Sequence, residues 1–150
     1  MTDACRSASE RKADTIARLE RDADVWAATA SAGRPHLVPL SFAWDGTHVI
    51  LATPAASPTA RNAATSGDLR LALGTSRDVT IIEASVEVVR CADAEDSIAQ
   101  CHAARTGWDP RQEDVQHVYL IAMPRTTRAW RSLPEIEGRT IMRGGQWTPA

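Results

Sequence analysis

Residues 25–62 constrain the fold of this 150-residue chain more than any other stretch, because they read as two hairpin-linked strands, a third strand and then a helix. Residues 25–29 lead through the polar turn Ser31-Ala32-Gly33-Arg34 into residues 36–44, where Leu37, Val38, Leu40, Phe42 and Trp44 supply the apolar content of a strand. Asp45-Gly46 is a second and stronger turn, and residues 48–53 form the third strand of an antiparallel meander. Pro54 and Pro58 mark the change of period, and a helix opens at Ser57-Pro58-Thr59-Ala60-Arg61-Asn62. Amides at a helix N-terminus are unpaired and carry partial positive charge, so an anion lying against Ser57, Thr59 and Arg61 would meet donors already oriented. The chemistry this predicts is the binding of a phosphate-bearing cofactor.

The remaining pattern extends the same architecture. Residues 10–21 place Ala13, Ile16, Ala17 and Leu19 on one narrow stripe, which predicts a short amphipathic helix within an N-terminal segment of residues 1–22. Residues 69–74 and 79–89 read as strands, the second with Glu83, Ser85 and Glu87 among apolar neighbours. A helix is expected over residues 93–106, capped by Asp93 and stopped by Gly107. Residues 117–123 form a strand expected to break at Pro124, with another short strand over 126–131. Gly144-Gly145 is expected to close a terminal hairpin. Six or more short antiparallel strands with few helices predict a mainly β fold, a closed or nearly closed six-stranded antiparallel barrel, because closure removes exposed edges. A chain of this length fits a single domain over residues 1–150.

Charge and cysteine content narrow the function classes. Seventeen basic and 19 acidic residues give a net charge of -2, which offers no bulk attraction to nucleic acid. Cys5, Cys91 and Cys101 are odd in number and form no C-x-x-C pair, so neither a disulfide framework nor a zinc knuckle is predicted, and a reducing cytoplasm is the expected compartment. No segment has the apolar length of a signal peptide or a membrane span, so a soluble protein without membrane partners is expected. No hydrolase elbow, P-loop, paired-carboxylate signature or metal-ligand spacing is present, and no catalytic side chain stands out.

Other conspicuous residues have plain readings. His36 and His48 flank the Asp45-Gly46 turn as polar hairpin residues, and Cys91 and Cys101 read as small buried hydrophobes rather than nucleophiles. Trp26, Trp44, Trp108, Trp130 and Trp147 are expected as core or interface anchors, with Trp130 also a candidate for a functional contact. Glu83 is either a polar contact near a ligand or a solvent-facing carboxylate.

The run from Ala28 to Gly46, containing Gly33-Arg34-Pro35-His36-Leu37-Val38-Pro39 and Trp44-Asp45-Gly46, followed by Ser57 to Asn62 and by Thr80-Ile81-Ile82-Glu83-Ala84, resembles the flavin-binding split-barrel superfamily. That superfamily includes pyridoxamine 5'-phosphate oxidase and a group of actinobacterial deazaflavin-dependent oxidoreductases. The resemblance spans residues 24–147 and implies a homodimer with two cofactor sites across the interface, each taking coenzyme F420 or FMN and acting on a small-molecule substrate. Carried over by position, Pro39, Leu40 and Ser41 would line the ring with backbone groups, Thr53 and Ser57 would approach the ribityl chain and phosphate, and Arg61 with Asn62 would close the anion site. Trp130 and Arg131 would come from the partner subunit to cover the ring. Many relatives carry a lysine at the position of Thr59, which here supplies a hydroxyl without charge. The implied activity is hydride transfer, with F420 favoured over FMN, to a small unsaturated or heteroaromatic acceptor. A non-catalytic dimeric flavin or tetrapyrrole carrier, and a relative with a decayed cofactor site, are the alternative expectations.

Overall fold

Capping chemistry sets the helix boundaries in the computed structural model, which describes residues 5–148. The Ser7 side chain accepts from the Glu10 amide and opens α1 (Ala8–Arg21). The chain continues through β1 (Asp24–Ser31), β2 (Arg34–Trp44) and β3 (Val49–Pro54) into α2 (Pro58–Ser66), which ends at left-handed Gly67. Then follow β4 (Asp68–Thr75), β5 (Asp78–Arg90), α3 (Asp96–Thr106), β6 (His117–Trp130), the single-turn α4 (Leu133–Ile136) and a hairpin of β7 (Thr140–Arg143) and β8 (Gln146–Trp147). That hairpin turns at Gly144-Gly145 as the sequence predicts.

All strand pairings are antiparallel, and the β3–β6 pairing closes the ring β1-β2-β3-β6-β5-β4 into the predicted six-stranded barrel. Its interior is filled by alternating residues, among them Val25, Ala27, Leu51, Leu71, Ile82 and Leu120. Leu19 of α1 joins this core near the β4–β5 turn, and Ala60 and Ala63 of α2 join it where Val86 bonds to Gly67, at the other end of the same strands. A second apolar layer lies outside the barrel, where Ala99 and Ile98 of α3 pack with Ala43, Ile50, Ala52 and Tyr119.

The closure is uneven, and this positions the site. β2 meets β3 only through Phe42, Ala43 and Trp44, opposite Leu51, Ile50 and Val49. Towards its N-terminal end, β2 pairs with β1 alone, while β3 from Ala52 to Pro54 pairs with β6 alone. The barrel is therefore split along one edge of β2, beside the start of α2.

Two expectations are corrected. Pro124 does not break β6: the pairing steps from Glu83↔Thr126 to Ala84↔Pro124, leaving Arg125 as the extra residue of a bulge. The Arg125 carbonyl accepts from the Gly145 amide at 2.9 Å, so the irregularity is satisfied by the terminal hairpin. Asp93 does not cap α3; residues Cys91–Asp93 form a 3-10 turn and Glu95 is the N-cap residue. Of the five tryptophans, Trp44 and Trp108 pack half-buried against the two apolar clusters and Trp26 is 50% exposed; the large fully buried aromatic side chains are Tyr119 and Phe42.

Candidate functional site

The site is built around the loop that joins β3 to α2. Thr53, at the end of β3, donates its hydroxyl to Ser57 Oγ at 3.0 Å, and the same oxygen accepts from the Ala60 amide at 3.1 Å. Both acceptor positions of the Ser57 hydroxyl are thus used, which leaves its proton as the donor available to a ligand. Pro58 has no amide hydrogen, and the Arg61 amide bonds to the Ser57 carbonyl. Few free amides remain at this helix start, so its capacity for an anion rests on side chains.

Of those side chains, Arg61 is the strongest candidate. It lies exposed on α2 and forms no ion pair or side-chain hydrogen bond among the described residues. Asn62 spends its amide on Thr29 Oγ1 at 3.1 Å, tying α2 to β1. Thr59 and Thr53 are only 2% and 5% exposed. The stripe Thr59, Ala60 and Ala63 is the face by which α2 plugs the barrel, and Thr53 supports Ser57 through its hydroxyl.

The ring-lining residues separate by side. Pro39 is exposed on the outer face of β2 and, with Trp26 and Ala72, lines a cavity of about 530 Å³. Leu40 packs its side chain against the barrel core, so only its backbone remains for a ligand, and Ser41 is half-buried. Glu83 is held on the barrel surface by Arg70 at 2.8 Å and Arg128 at 3.2 Å. His48 lies 3.0 Å from Asp45 across its own turn, in keeping with a structural role.

Trp130 and Arg131 are remote from Ser57 within one chain. Thr53 pairs with Val118 near the start of β6, whereas Trp130 ends that strand, twelve residues on, roughly 40 Å along an extended chain at about 3.3 Å per residue. Beside Trp130 lies a separate cavity of about 480 Å³, whose lining includes Arg77 and Ser132, two residues the sequence did not single out. Their only sequence signal is adjacency, Ser132 to Arg131 and Arg77 to the β4–β5 turn. Among the described residues no cluster of three metal-ligating side chains occurs, and no helix is long and apolar enough to cross a membrane.

A family model for pyridoxamine 5'-phosphate oxidase matches residues 14–130. The chain belongs to this family. No functionally curated protein matches the sequence. Among solved structures, an F420 reductase is similar at 18% identity and TM-score 0.61, covering 74% of this chain and 93% of that one. A FAD-binding protein from Mesorhizobium loti is similar at 14% identity and TM-score 0.61, covering 83% and 92%. A heme binding protein from Mycobacterium smegmatis reaches TM-score 0.67 at 17% identity, covering 93% of this chain but 59% of that one. At these identities the likeness establishes the fold of this pyridoxamine 5'-phosphate oxidase family member, a split barrel.

Proposed function

We propose that this protein is a homodimeric oxidoreductase that binds coenzyme F420, in preference to FMN, and passes a hydride to a small unsaturated or heteroaromatic acceptor. The observation that carries this reading is the split between β2 and β3 beside Ser57. It leaves backbone groups of β2 without a strand partner on one side, next to a free hydroxyl proton and an unpaired guanidinium. Such an edge suits a planar ring rich in donors and acceptors, with Ser57 and Arg61 taking the phosphate. The likeness to an F420 reductase supports F420 over FMN.

A bound deazaflavin or flavin supplies the hydride chemistry. This chain's part is to orient and to exclude water. Pro39, Leu40 and Ser41 offer a rigid edge, because two prolines, Pro35 and Pro39, stiffen β2. Trp130 of the partner subunit covers the ring, since one chain holds Trp130 and Ser57 at opposite ends of β6. The outer face of the β2-β1-β4 sheet supplies the contact between subunits, with Trp26 50% and Leu37 60% exposed beside Ala28 and Pro39. Fluorescence titration with oxidised F420 and with FMN tests the reading: micromolar saturation by F420 supports it, and the absence of saturation by either overturns it.

A carrier without turnover is the second reading. It is favoured by the likeness to a heme binding protein and by the pairing of Glu83, a carboxylate the resemblance places near the ring, with Arg70 and Arg128. Tight binding without bleaching of the reduced cofactor across an acceptor panel would select it.

A further inference from the structure

The cavity at the end of β6 differs in chemistry from the split. Arg77 and Arg131 contribute guanidinium groups to its wall, Arg131 Nε lying 4.0 Å from Glu135 Oε2, and no carboxylate lines the cavity itself. The nearest buried acid, Glu135, is already occupied: its oxygens accept from Arg6 Nη2 at 2.8 Å, Arg6 Nε at 3.1 Å and the Arg6 amide at 2.7 Å, and from the Arg131 amide at 2.9 Å. Among the described residues Arg77 forms no ion pair and no side-chain hydrogen bond, and its backbone amide donates to Thr75 Oγ1 at 3.2 Å. Ser132 Oγ is buried against this wall without a hydrogen-bond partner among the described residues.

Opposite these polar groups the lining is apolar. Leu133 is 83% exposed and Ile136 37% exposed. The Trp130 indole adds an aromatic wall, with the Arg139 guanidinium 5.3 Å from its ring centroid. A cavity of about 480 Å³ is of the size that encloses a small organic ligand. The Arg77 guanidinium, without an ion pair among the described residues, and the apolar surface beside it specify a ligand with an anionic group and a flat apolar body.

We infer that this cavity binds a small aromatic or heteroaromatic carboxylate, its anion held by Arg77 and Ser132 and its ring lying between Trp130 and Leu133. The inference deepens the proposed function, resting on that reading for its claim that the acceptor is an anion, but binding itself needs no cofactor. The ligand enters at the wall that Trp130 shares with the ring-covering position, which places the anion-binding residues on the substrate side.

The test uses the full-length protein without added cofactor and follows the five tryptophan indole N–H signals by heteronuclear NMR, the Trp130 signal being assigned by its loss in Trp130→Phe. Benzoate is the probe, benzamide its neutral counterpart and inorganic phosphate the anion without an apolar body. Saturable movement of the Trp130 signal by benzoate, about tenfold weaker with benzamide and about tenfold weaker in Arg77→Ala, is the expected result. Arg77 is an exposed turn residue, so this variant folds, and Arg77→Lys is expected to restore part of the affinity. Equal binding of benzoate and benzamide, indifference to Arg77→Ala, or no saturation by benzoate would overturn the inference. Saturation by phosphate as tight as by benzoate would also overturn it, by removing the role of the apolar wall. F420 titration of Arg77→Ala separates the two readings: unchanged F420 affinity with lost benzoate binding locates the defect in this cavity alone.

Discussion

At the scale of single residues, Arg61 and His102 carry opposite kinds of argument. Arg61 is exposed and has no ion pair among the described residues, so Arg61→Ala should leave the melting temperature within a degree or so while weakening F420 or FMN binding about tenfold, the worth of one charged hydrogen bond. Unchanged affinity in the titration would remove the assignment of the phosphate to α2. His102 of α3 is fully buried between Trp108 and Tyr119, with ring centroids 5.9 and 5.5 Å away, and neither ring nitrogen has a hydrogen-bond partner among the described residues. Burial pushes its pKa from 6.5 down to about 4, against the opposing pull of the Asp109 carboxylate. The unfolded chain therefore takes up a proton near pH 6.5 that the folded chain refuses until about pH 4. Stability is full above pH 6.5 and falls as pH drops through that window, by about 3 kcal/mol in all. Denaturant midpoints at pH 7.5 and 4.5 measure this, and a His102→Leu variant that kept the full acid-induced loss would refute it. Sequence reasoning placed Ser57 at the start of α2 because capping chemistry is local. It missed His102, whose neighbours Trp108 and Tyr119 come from a loop and a distant strand.

Elements are decided by satisfaction of backbone and charge as much as by propensity. Pro124 reads as a strand break, yet β6 passes through it, because a bulge puts the residue without an amide hydrogen where the ladder is already interrupted. The N-terminal segment was legible as an amphipathic helix, but its anchor was not: Arg6, 6% exposed, meets Glu135, 1% exposed, across 129 residues of sequence. Arg6 holds the Glu135 carboxyl down at about 2, so this clamp adds stability present above pH 4.5 and lost as pH falls towards 2, a window below that of His102. Glu135→Gln removes the buried one of the three carboxylates around Arg6, leaving Asp14 at 2.9 Å and Asp78 at 3.4 Å, and should cost about 2 kcal/mol in urea unfolding. A loss below about 1 kcal/mol would mean that the segment before α1 is held by packing instead. The β4–β5 turn depends on Gly74, whose φ of +85° is left-handed and whose added Cβ would strike the Asp78 carbonyl and the Arg18 guanidinium. Because the carbonyl is backbone, Gly74→Ala should destabilise by about 2 kcal/mol and loosen the Arg18–Asp78 pair, 3.0 Å apart. A melting temperature equal to that of the parent would contradict this.

For the whole molecule, closure of the barrel was readable from strand count and alternation, whereas the placement of the split was not. That placement follows from the short pairing of β2 with β3, set by where α2 enters the barrel end rather than by any residue pattern within β2. The same geometry makes the proposed function depend on assembly. Ser57 and Arg61 sit beside the start of β6, while Trp130 and Arg131 sit at its far end, so a ring held at the split gains its indole cover only from a second copy. The apolar outer face around Trp26 and Leu37 is the surface by which that copy would dock, since charged side chains are sparse from Trp26 to Ala30 and from Pro35 to Pro39. Leu37→Asp places a charge at the middle of this face without touching the barrel interior. It is expected to convert the protein to a monomer in analytical ultracentrifugation, to leave far-ultraviolet dichroism unchanged, and to weaken F420 binding at least tenfold by removing the cover. A monomeric variant that binds F420 as tightly as the parent would show that one chain completes the site, and would locate the function of Trp130 in its own cavity.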